Sequence, residues 1–320
     1  MTTATASAAA ARFGRAGSRI PDLVFRGTSG VLGWTIAVVL ALLAVLLLLN
    51  SNQALSKFGL PFLSGTTWDP IAGIYGALPF IVGTIGSSLI AIILATPIGL
   101  LTAIFLAELA PRRVAIPLTF TIELLAAIPS VVFGLCGVFV LGPFLSRTVE
   151  AWIVGTFGFI PIFAGPPFGV GLFAAGVILT LMILPTIIAI SRDVITAVPD
   201  SQREAMLALG ATRWEMITKS VLPYARSGII GAVILGLGRA LGETMAVTMV
   251  IGNRPQIPQS IFDSSQTIAS QIATTFNEAS IGLQTSALIA LGLVLLVITM
   301  TLNIVARLLV WRVSGRESGA

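Results

Sequence analysis

Residues 31–49 read VLGWTIAVVLALLAVLLLL, an uninterrupted apolar run of 19 residues. An α-helix needs about 20 apolar residues to cross the hydrocarbon core of a bilayer, so this run predicts a membrane-spanning helix. Four arginines precede the run and the polar stretch 50–53 follows it. A secretory signal peptide has a similar order of parts, but its apolar core is usually about 7–15 residues long and small residues follow it. We therefore interpret 31–49 as an uncleaved first span.

The composition of the whole chain agrees with this interpretation. Of its 320 residues, 56% are hydrophobic and 10% are charged, and the mean hydropathy is +1.01. Soluble domains carry about 25% charged residues, so most of this chain is expected to lie in lipid. Apolar runs predict five further spans, at 78–107, 115–144, 168–191, 226–251 and 284–306. The fold class is thus all-α, a polytopic membrane protein with six transmembrane helices. Three prolines interrupt the apolar stretch 157–169, which is expected to be an interfacial or re-entrant loop.

The distribution of basic residues predicts the orientation. Cytoplasmic segments of membrane proteins are enriched in Lys and Arg. With a cytoplasmic N-terminus, 14 basic residues fall inside, three fall outside, and Arg239 lies within a span. Both termini are therefore predicted to be cytoplasmic, in the plasma (inner) membrane. Residues 1–30 would be a cytoplasmic segment, 31–312 a six-span transmembrane domain with a cytoplasmic loop at 192–225, and 313–320 a cytoplasmic tail. The net charge of +5 follows this topology and requires no nucleic-acid partner.

Several chemistries lack the residues that they need. The chain has no histidine and a single cysteine, Cys136, which removes His-based catalytic triads, metal sites and any disulfide within the chain. It also has no Gly-x-x-x-x-Gly-Lys-Ser/Thr loop to hold nucleotide phosphates. We expect no cofactor, no metal and no catalytic residue in this chain.

The loop 192–225 carries helix signals. Ser201 and Glu204 have the spacing of a capping box, and Gly210 is a predicted C-terminal cap. A second short helix should follow and meet Pro223. Isolated helices this short are marginal in water, so they need a partner surface on this protein or on another.

The same loop resembles the EAA loop of ABC-importer permeases. The pattern is Glu-Ala-Ala, three residues, Gly, nine residues, Ile, one residue and Leu-Pro, and the matching positions are Glu204, Ala205, Gly210, Leu222 and Pro223. Met206 replaces the second alanine and Ser220 the isoleucine. The resemblance implies that the short helix docks into a cleft on a separate ATPase subunit, which binds ATP and magnesium, and passes the closing of the ATPase dimer to the membrane helices. The alternative is an ordinary capped surface helix.

Three ionisable residues fall within predicted spans: Glu123, Arg239 and Glu243. Charges at this depth are costly and usually mark a pathway. Arg239 and Glu243 are four residues apart, so on a helix they would share a face and could pair. Arg239 suits an anionic solute because its planar fork makes paired hydrogen bonds, with Glu243 holding it; the alternative is an ion pair that locks two helices. Glu123 could pair with Arg239 or lie near the inner surface. Gly238 and Gly242 have the spacing of close helix packing.

Beyond the loop, residues 60–312 resemble the PstC-type permeases of phosphate-specific ABC importers. The resemblance rests on Trp68-Asp69-Pro70, the run 76–84, Glu108-Leu109-Ala110-Pro111, Ala127-Ile128-Pro129-Ser130 and the run 238–246. It implies import of inorganic phosphate by alternating access. The implied partners are a second permease of PstA type, two ATPase subunits of PstB type and an external phosphate-binding protein of PstS type. The open alternatives are an ABC permease for sulfate, molybdate or phosphonate, and an ATPase-independent channel or secondary transporter.

Overall fold

A computed structural model describes the backbone of residues 19–314, with the side chains of 24–308, 310 and 311. The rest of the predicted N-terminal segment and of the predicted tail lies outside the described residues. Residues up to Leu49 form one unit, described by its helix α1, and the residues from Asn50 onward form a second compact unit. The helices, in chain order, are α1 (Arg19–Asn50), α2 (Asn52–Phe58), α3 (Pro61–Ser64), α4 (Leu78–Ile104), α5 (Arg112–Ala127), α6 (Ser130–Cys136), α7 (Gly142–Leu145), α8 (Ala151–Phe157), α9 (Leu172–Thr196), α10 (Asp200–Ala208), α11 (Arg213–Met216), α12 (Leu222–Gly242), α13 (Met245–Val250), α14 (Ile268–Thr275) and α15 (Leu283–Ser314).

Turns of π-helix continue several of these helices, at Phe105–Leu109, Gly137–Leu141, Ser146–Glu150 and Ile217–Val221. Within the described residues, six helical stretches are long and apolar enough to cross a membrane: Val24–Asn50, Leu78–Leu109, Ser130–Phe157, Leu172–Thr196, Arg213–Gly242 and Leu283–Leu308. The predicted number of spans is confirmed. The stretch 158–171 holds only a short 3-10 turn at Pro161–Phe163, so it is irregular as expected.

Two of the predicted spans are not continuous helices. The predicted span 115–144 breaks at Ile128 and Pro129, which are both extended (ψ 129° and 141°). The ring of a proline clashes with the preceding residue, so the helical conformation is unfavourable for Ile128. The predicted span 226–251 breaks after Gly242, where Glu243 is extended (ψ 130°). The chain therefore passes through these regions as α5 and α6, and as α12 and α13.

Glycines set the close contacts between the central helices. A Cβ on Gly176 of α9 would lie 2.4 Å from Ile90 Cγ2 of α4, so only glycine lets these helices approach so closely. Helix α12 packs on α9 in the same way, since a Cβ on Gly236 would lie 3.0 Å from Ile187 Cγ1. Within the described residues no atom lies within 4 Å of a Cβ on Gly238 or Gly242. These two glycines therefore make no close packing contact with another described element, and the face that packs within the chain is offset around the helix.

The Trp68-Asp69-Pro70 motif builds a small antiparallel hairpin of β1 (Trp68–Asp69) and β2 (Ile74–Tyr75). The Asp69 carboxylate closes its turn by accepting a hydrogen bond from the backbone N–H of Ile71 at 2.9 Å. The Trp68 ring packs edge-on against Tyr75 and Phe80, with centroids 4.8 and 5.1 Å apart. The motif thus fixes the chain just before α4 and has a structural role.

Candidate functional site

Arg239 lies in the last turn of α12 and its side chain is exposed in this chain. Its Nη1 donates to the hydroxyl of Thr186 on α9 at 3.4 Å, a long and therefore weak hydrogen bond. The packed Gly236–Ile187 contact is one turn away, so the guanidinium stands beside the seam between the two helices. Most donors of its fork remain available to a ligand.

Glu243 does not hold Arg239. Its Oε1 accepts from the backbone N–H of Ala246 at 3.3 Å, in the first turn of α13. The predicted pairing fails because α12 ends at Gly242, so the helical i, i+4 geometry does not reach Glu243. None of the ion pairs formed among the described side chains involves Arg239. Among the described residues, no carboxylate neutralises the guanidinium.

Glu123 is not brought to Arg239 either. Its Oε1 lies 3.9 Å from Arg192 Nη1, and its side chain is 58% exposed. Arg192 is six residues along α9 from Thr186, which is about 9 Å at 1.5 Å per residue. Of the two placements left open by the sequence, Glu123 takes the one toward the loop 192–225, away from Arg239.

The loop 192–225 contains two short helices, but the first is capped differently from the prediction. Helix α10 begins at Asp200, so Ser201 already lies inside it, and no side chain makes a cap bond at its N-terminus. The capping box is at α11 instead, where Thr212 and Glu215 bond each other's backbone N–H groups at 3.0 and 3.3 Å. Gly210 does end α10, with a φ of +81°. Backbone bonds from Gly210 to Leu207 and from Ala211 to Met206 complete this turn.

Some of the EAA-like positions pack against the membrane helices and others are exposed. Met206 and Leu222 pack against a buried apolar cluster that joins the ends of α4, α9 and α12. Glu204, Ala205 and Gly210 are exposed, and Pro223 lies in the first turn of α12, the helix that leads back to Arg239. A methionine at the position of the second alanine thus gives the helix an apolar anchor.

A cleft opens on the outer side of these helices. It has a volume of about 320 Å³ and is lined by Gln202, Ala205, Met206, Leu209, Lys219, Ser220 and Tyr224. Leu209, which lines the cleft, is 84% exposed, and Trp214 in the same loop is 68% exposed. Apolar groups exposed so fully in this loop are typical of a protein interface.

Sequence reasoning missed one partly buried ion pair. Arg203 Nη2 lies 2.8 Å from Glu108 Oε1, and only 16% and 6% of the two side chains are exposed. The pKa of Arg203 is raised, chiefly because Glu108 accepts hydrogen bonds from the guanidinium. The two residues are 95 positions apart, so no local spacing reveals the contact. The one available signal was that both lie beside motifs, Glu108 in Glu-Leu-Ala-Pro and Arg203 next to Glu204.

Comparison with known proteins gives the family. Residues 95–315 match the family described as binding-protein-dependent transport system inner membrane component. The phosphate transport system permease protein PstC of Mesorhizobium japonicum is 46% identical over 301 residues, which cover 93% of this chain and 92% of the relative. PstC of Pasteurella multocida is 45% identical and covers 95% and 96%. PstC 2 of Mycobacterium tuberculosis is 38% identical over 302 residues and covers 91% and 92%.

Solved structures give the fold. An inward-facing MetNI methionine ABC transporter has a TM-score of 0.56 at 17% identity, covering 77% of this chain and 99% of that chain. A bacterial alginate ABC transporter, in complex with an alginate-bound periplasmic protein, has a TM-score of 0.57 at 16% identity and covers 89% and 94%. The predicted type I ABC importer permease fold is confirmed. The chain therefore belongs to the inner membrane components of binding-protein-dependent transport systems and, among them, to the PstC permeases, as a multi-pass permease subunit of an ABC importer.

Proposed function

We propose that inorganic phosphate crosses the membrane through this subunit by alternating access and that Arg239 contacts it in transit. The observation that carries the proposal is the exposed guanidinium of Arg239, which lies in a membrane span without a carboxylate partner among the described residues. Relatives at 45–46% identity over most of the chain are named phosphate transport permeases, which supports phosphate over the other oxyanions.

The chemistry of the site suits a tetrahedral oxyanion. The arginine fork donates parallel hydrogen bonds to two oxygens of one anion, and such charge-assisted bonds are roughly twice as strong as neutral ones. The Thr186 hydroxyl, 3.4 Å from Nη1, can donate to a further oxygen. Glu243 has a different role from the one first expected. By accepting from Ala246, it holds the break between α12 and α13 and so keeps Arg239 at a helix end.

A second permease subunit, of PstA type, would complete the pathway. One face of α12 carries Leu235, Gly238, Arg239 and Gly242, which recur at helical spacing and are exposed or half-buried. A Cβ built on Gly238 or Gly242 would meet no atom of another element within 4 Å among the described residues. An arginine that faced lipid would cost about 2.5–3.5 kcal/mol on insertion scales, so a polar surface from another subunit is expected to cover this face.

The energy would come from two ATPase subunits of PstB type, which hold ATP and magnesium, docked at the cleft beside α10. An external binding protein of PstS type would deliver phosphate to the opposite side. The 14-to-3 distribution of basic residues supports an orientation in which the loop 192–225 and both termini face the cytoplasm.

Phosphate uptake by the assembled complex tests the role of Arg239. The complex of all partner subunits is reconstituted in proteoliposomes, and Arg239→Ala and Arg239→Lys are compared with Arg147→Ala, an exposed arginine outside the seam. Hydrogen bonds to a charged group contribute about 1.5–3 kcal/mol, so Arg239→Ala should reduce uptake by tenfold or more. Arg239→Lys keeps the charge but loses the planar guanidinium, so its phosphate uptake should lie between that of the wild type and that of Arg239→Ala.

Two controls make this result specific. Co-purification of all subunits shows that each variant assembles, and wild-type uptake by an assembled Arg239→Ala complex would contradict the pathway role. Competition by sulfate, molybdate or a phosphonate measures the substrate class, and equal uptake of any of these would contradict phosphate as the preferred cargo.

A further inference from the structure

The partly buried pair of Arg203 and Glu108 joins three elements of the fold. Glu108 lies in the π-helical turn that ends the second span, and Arg203 lies on α10. Glu108 Oε1 accepts from Arg203 Nε at 3.1 Å and from Nη2 at 2.8 Å, and Oε2 makes a longer contact with Nε at 3.4 Å. The guanidinium also donates from Nη2 to the Ile195 carbonyl oxygen at 2.9 Å and from Nη1 to that of Val198. One side chain thus ties α10 to the ends of both α4 and α9.

Packed helices connect the Arg203–Glu108 pair with the region around Arg239. Helices α4 and α9 fit together at glycine contacts, such as the Cβ position of Gly99, 2.9 Å from Ile187 Cγ2. Helix α9 carries Thr186, the residue that contacts Arg239. From Ile195 to Thr186 is nine residues of one helix, or about 14 Å. One continuous helix thus connects the end of α9 that Arg203 contacts to the seam where Arg239 lies.

Stability alone does not account for a buried ion pair at this place. Taking two charges out of water is expensive, and replacing such a pair by apolar residues of similar size is often neutral or stabilising. The apolar contacts of α10, through Met206, are non-directional and permit sliding. The fork of Arg203, in contrast, fixes both the distance and the angle of α10 relative to two spans.

We propose that Arg203 and Glu108 are positioning residues that make α10 move as one body with the ends of α4 and α9, so that a load applied to α10 becomes a movement at Arg239. This rests on the proposed function, since it requires an ATPase that acts on α10. The pair touches neither the solute nor ATP. Its loss should therefore lower the amount of solute moved for each ATP hydrolysed while hydrolysis itself continues.

The test measures phosphate uptake and ATP hydrolysis in the same proteoliposomes of the assembled complex. Arg203→Lys keeps the charge and loses the fork, and Glu108→Gln keeps the shape and loses the charge. Because hydrogen bonds to charged groups are each worth about a tenfold factor or more, we expect both variants to lower the uptake per ATP by about tenfold. Asp200→Asn is the matched control: Asp200 Oδ1 also contacts Arg203, at 3.2 Å, but is 87% exposed and should not matter.

Two double variants separate positioning from stability. The double variant Glu108→Met with Arg203→Met should assemble, because both charges of the pair are removed and neither is left unpaired. Its phosphate uptake per ATP hydrolysed should still be low. Exchanging the charges, as Glu108→Arg with Arg203→Glu, should also fail, because a carboxylate at 203 would face the carbonyl oxygens of Ile195 and Val198. Wild-type uptake per ATP in the double methionine variant, or in both single variants, would overturn the proposal. If the wild-type complex shows no phosphate-stimulated hydrolysis, the proposed function itself fails, a result that is distinct from a variant with a normal ratio.

Discussion

Gly210 offers a sharp test of how the loop helix is positioned. It ends α10 in the left-handed region, with a φ of +81°, and no described atom lies within 4 Å of a Cβ built there. A side chain at this position therefore meets no clash within the chain, and its cost is conformational. For an L-residue with a Cβ that cost is about 1–2 kcal/mol. Such a penalty corresponds to about a 5–30-fold smaller population of the native turn.

A series of side chains separates conformation from size. Asn is larger than Ala but tolerates the left-handed region better, and a β-branched Val tolerates it least. If the turn conformation limits coupling, the uptake of phosphate per ATP should fall in the order wild type, Gly210→Asn, Gly210→Ala, Gly210→Val. If instead a partner surface presses against Gly210, the order should follow size, and Asn should be worse than Ala.

The assay is phosphate uptake and ATP hydrolysis by the assembled complex in proteoliposomes, with subunit co-purification as the check on assembly. Gly231→Ala serves as a matched control, since Gly231 lies inside helix α12 and a Cβ there also meets nothing within 4 Å. Wild-type coupling in Gly210→Val, or Asn ranking below Ala, would refute the conformational reasoning.

Two further predictions concern the stability of local structure. Glu150 is 2% exposed and accepts from the backbone N–H of Gly169 at 2.8 Å, so Glu150→Ala should cost about 1–3 kcal/mol by leaving that group unpaired, while Glu150→Gln keeps an acceptor. In thermal unfolding in detergent, Glu150→Ala should have a lower Tm than the wild type and Glu150→Gln should not. Equal Tm values for the two variants would contradict this. Thr212→Ala should lose a cap worth about 1 kcal/mol and speed hydrogen exchange in α11, whereas Ser201→Ala should not change exchange in α10. Faster exchange in α10 of Ser201→Ala, with unchanged exchange in α11 of Thr212→Ala, would instead support the capping box expected from the sequence.

The number of spans could be predicted because apolar length is a strong signal, whereas the helix breaks could not. Pro97, Pro117 and Pro185 remain inside helices, while Pro129 accompanies a break. A proline in a membrane helix is tolerated where neighbouring groups satisfy the freed backbone, so its effect depends on tertiary contacts. No proline accompanies the break after Gly242, where the Glu243 side chain accepts from the backbone of the next helix.

The site was predictable as a set of residues and unpredictable as a set of contacts. Arg239 stands out in the sequence because a charge in a span is rare. Its neighbour Thr186 is 53 positions away and gives no such signal. Arg203 and Glu108 were each visible beside a motif, but their pairing requires knowing that α4 and α9 end at the same place. Sequence spacing reports contacts within one helix, and here the contacts that matter join different helices.

The position of Glu243 changes how anion binding at Arg239 should be understood. Had the two residues paired, phosphate would have to displace a carboxylate before it could use the arginine fork. In the structure the Glu243 carboxylate accepts from Ala246, and the only side-chain hydrogen bond of Arg239 among the described residues is the long one to Thr186. A weakly held guanidinium binds an incoming anion without first breaking an ion pair. Thr186 lies on α9, and Arg203 ties α9 to the loop helix α10. A movement of α10 would therefore shift the Thr186 hydroxyl relative to the Arg239 guanidinium and change how tightly the two groups bind the anion. Release of the solute would then be coupled to the ATPase through a change in a weak contact, which requires less energy than the rupture of a strong one.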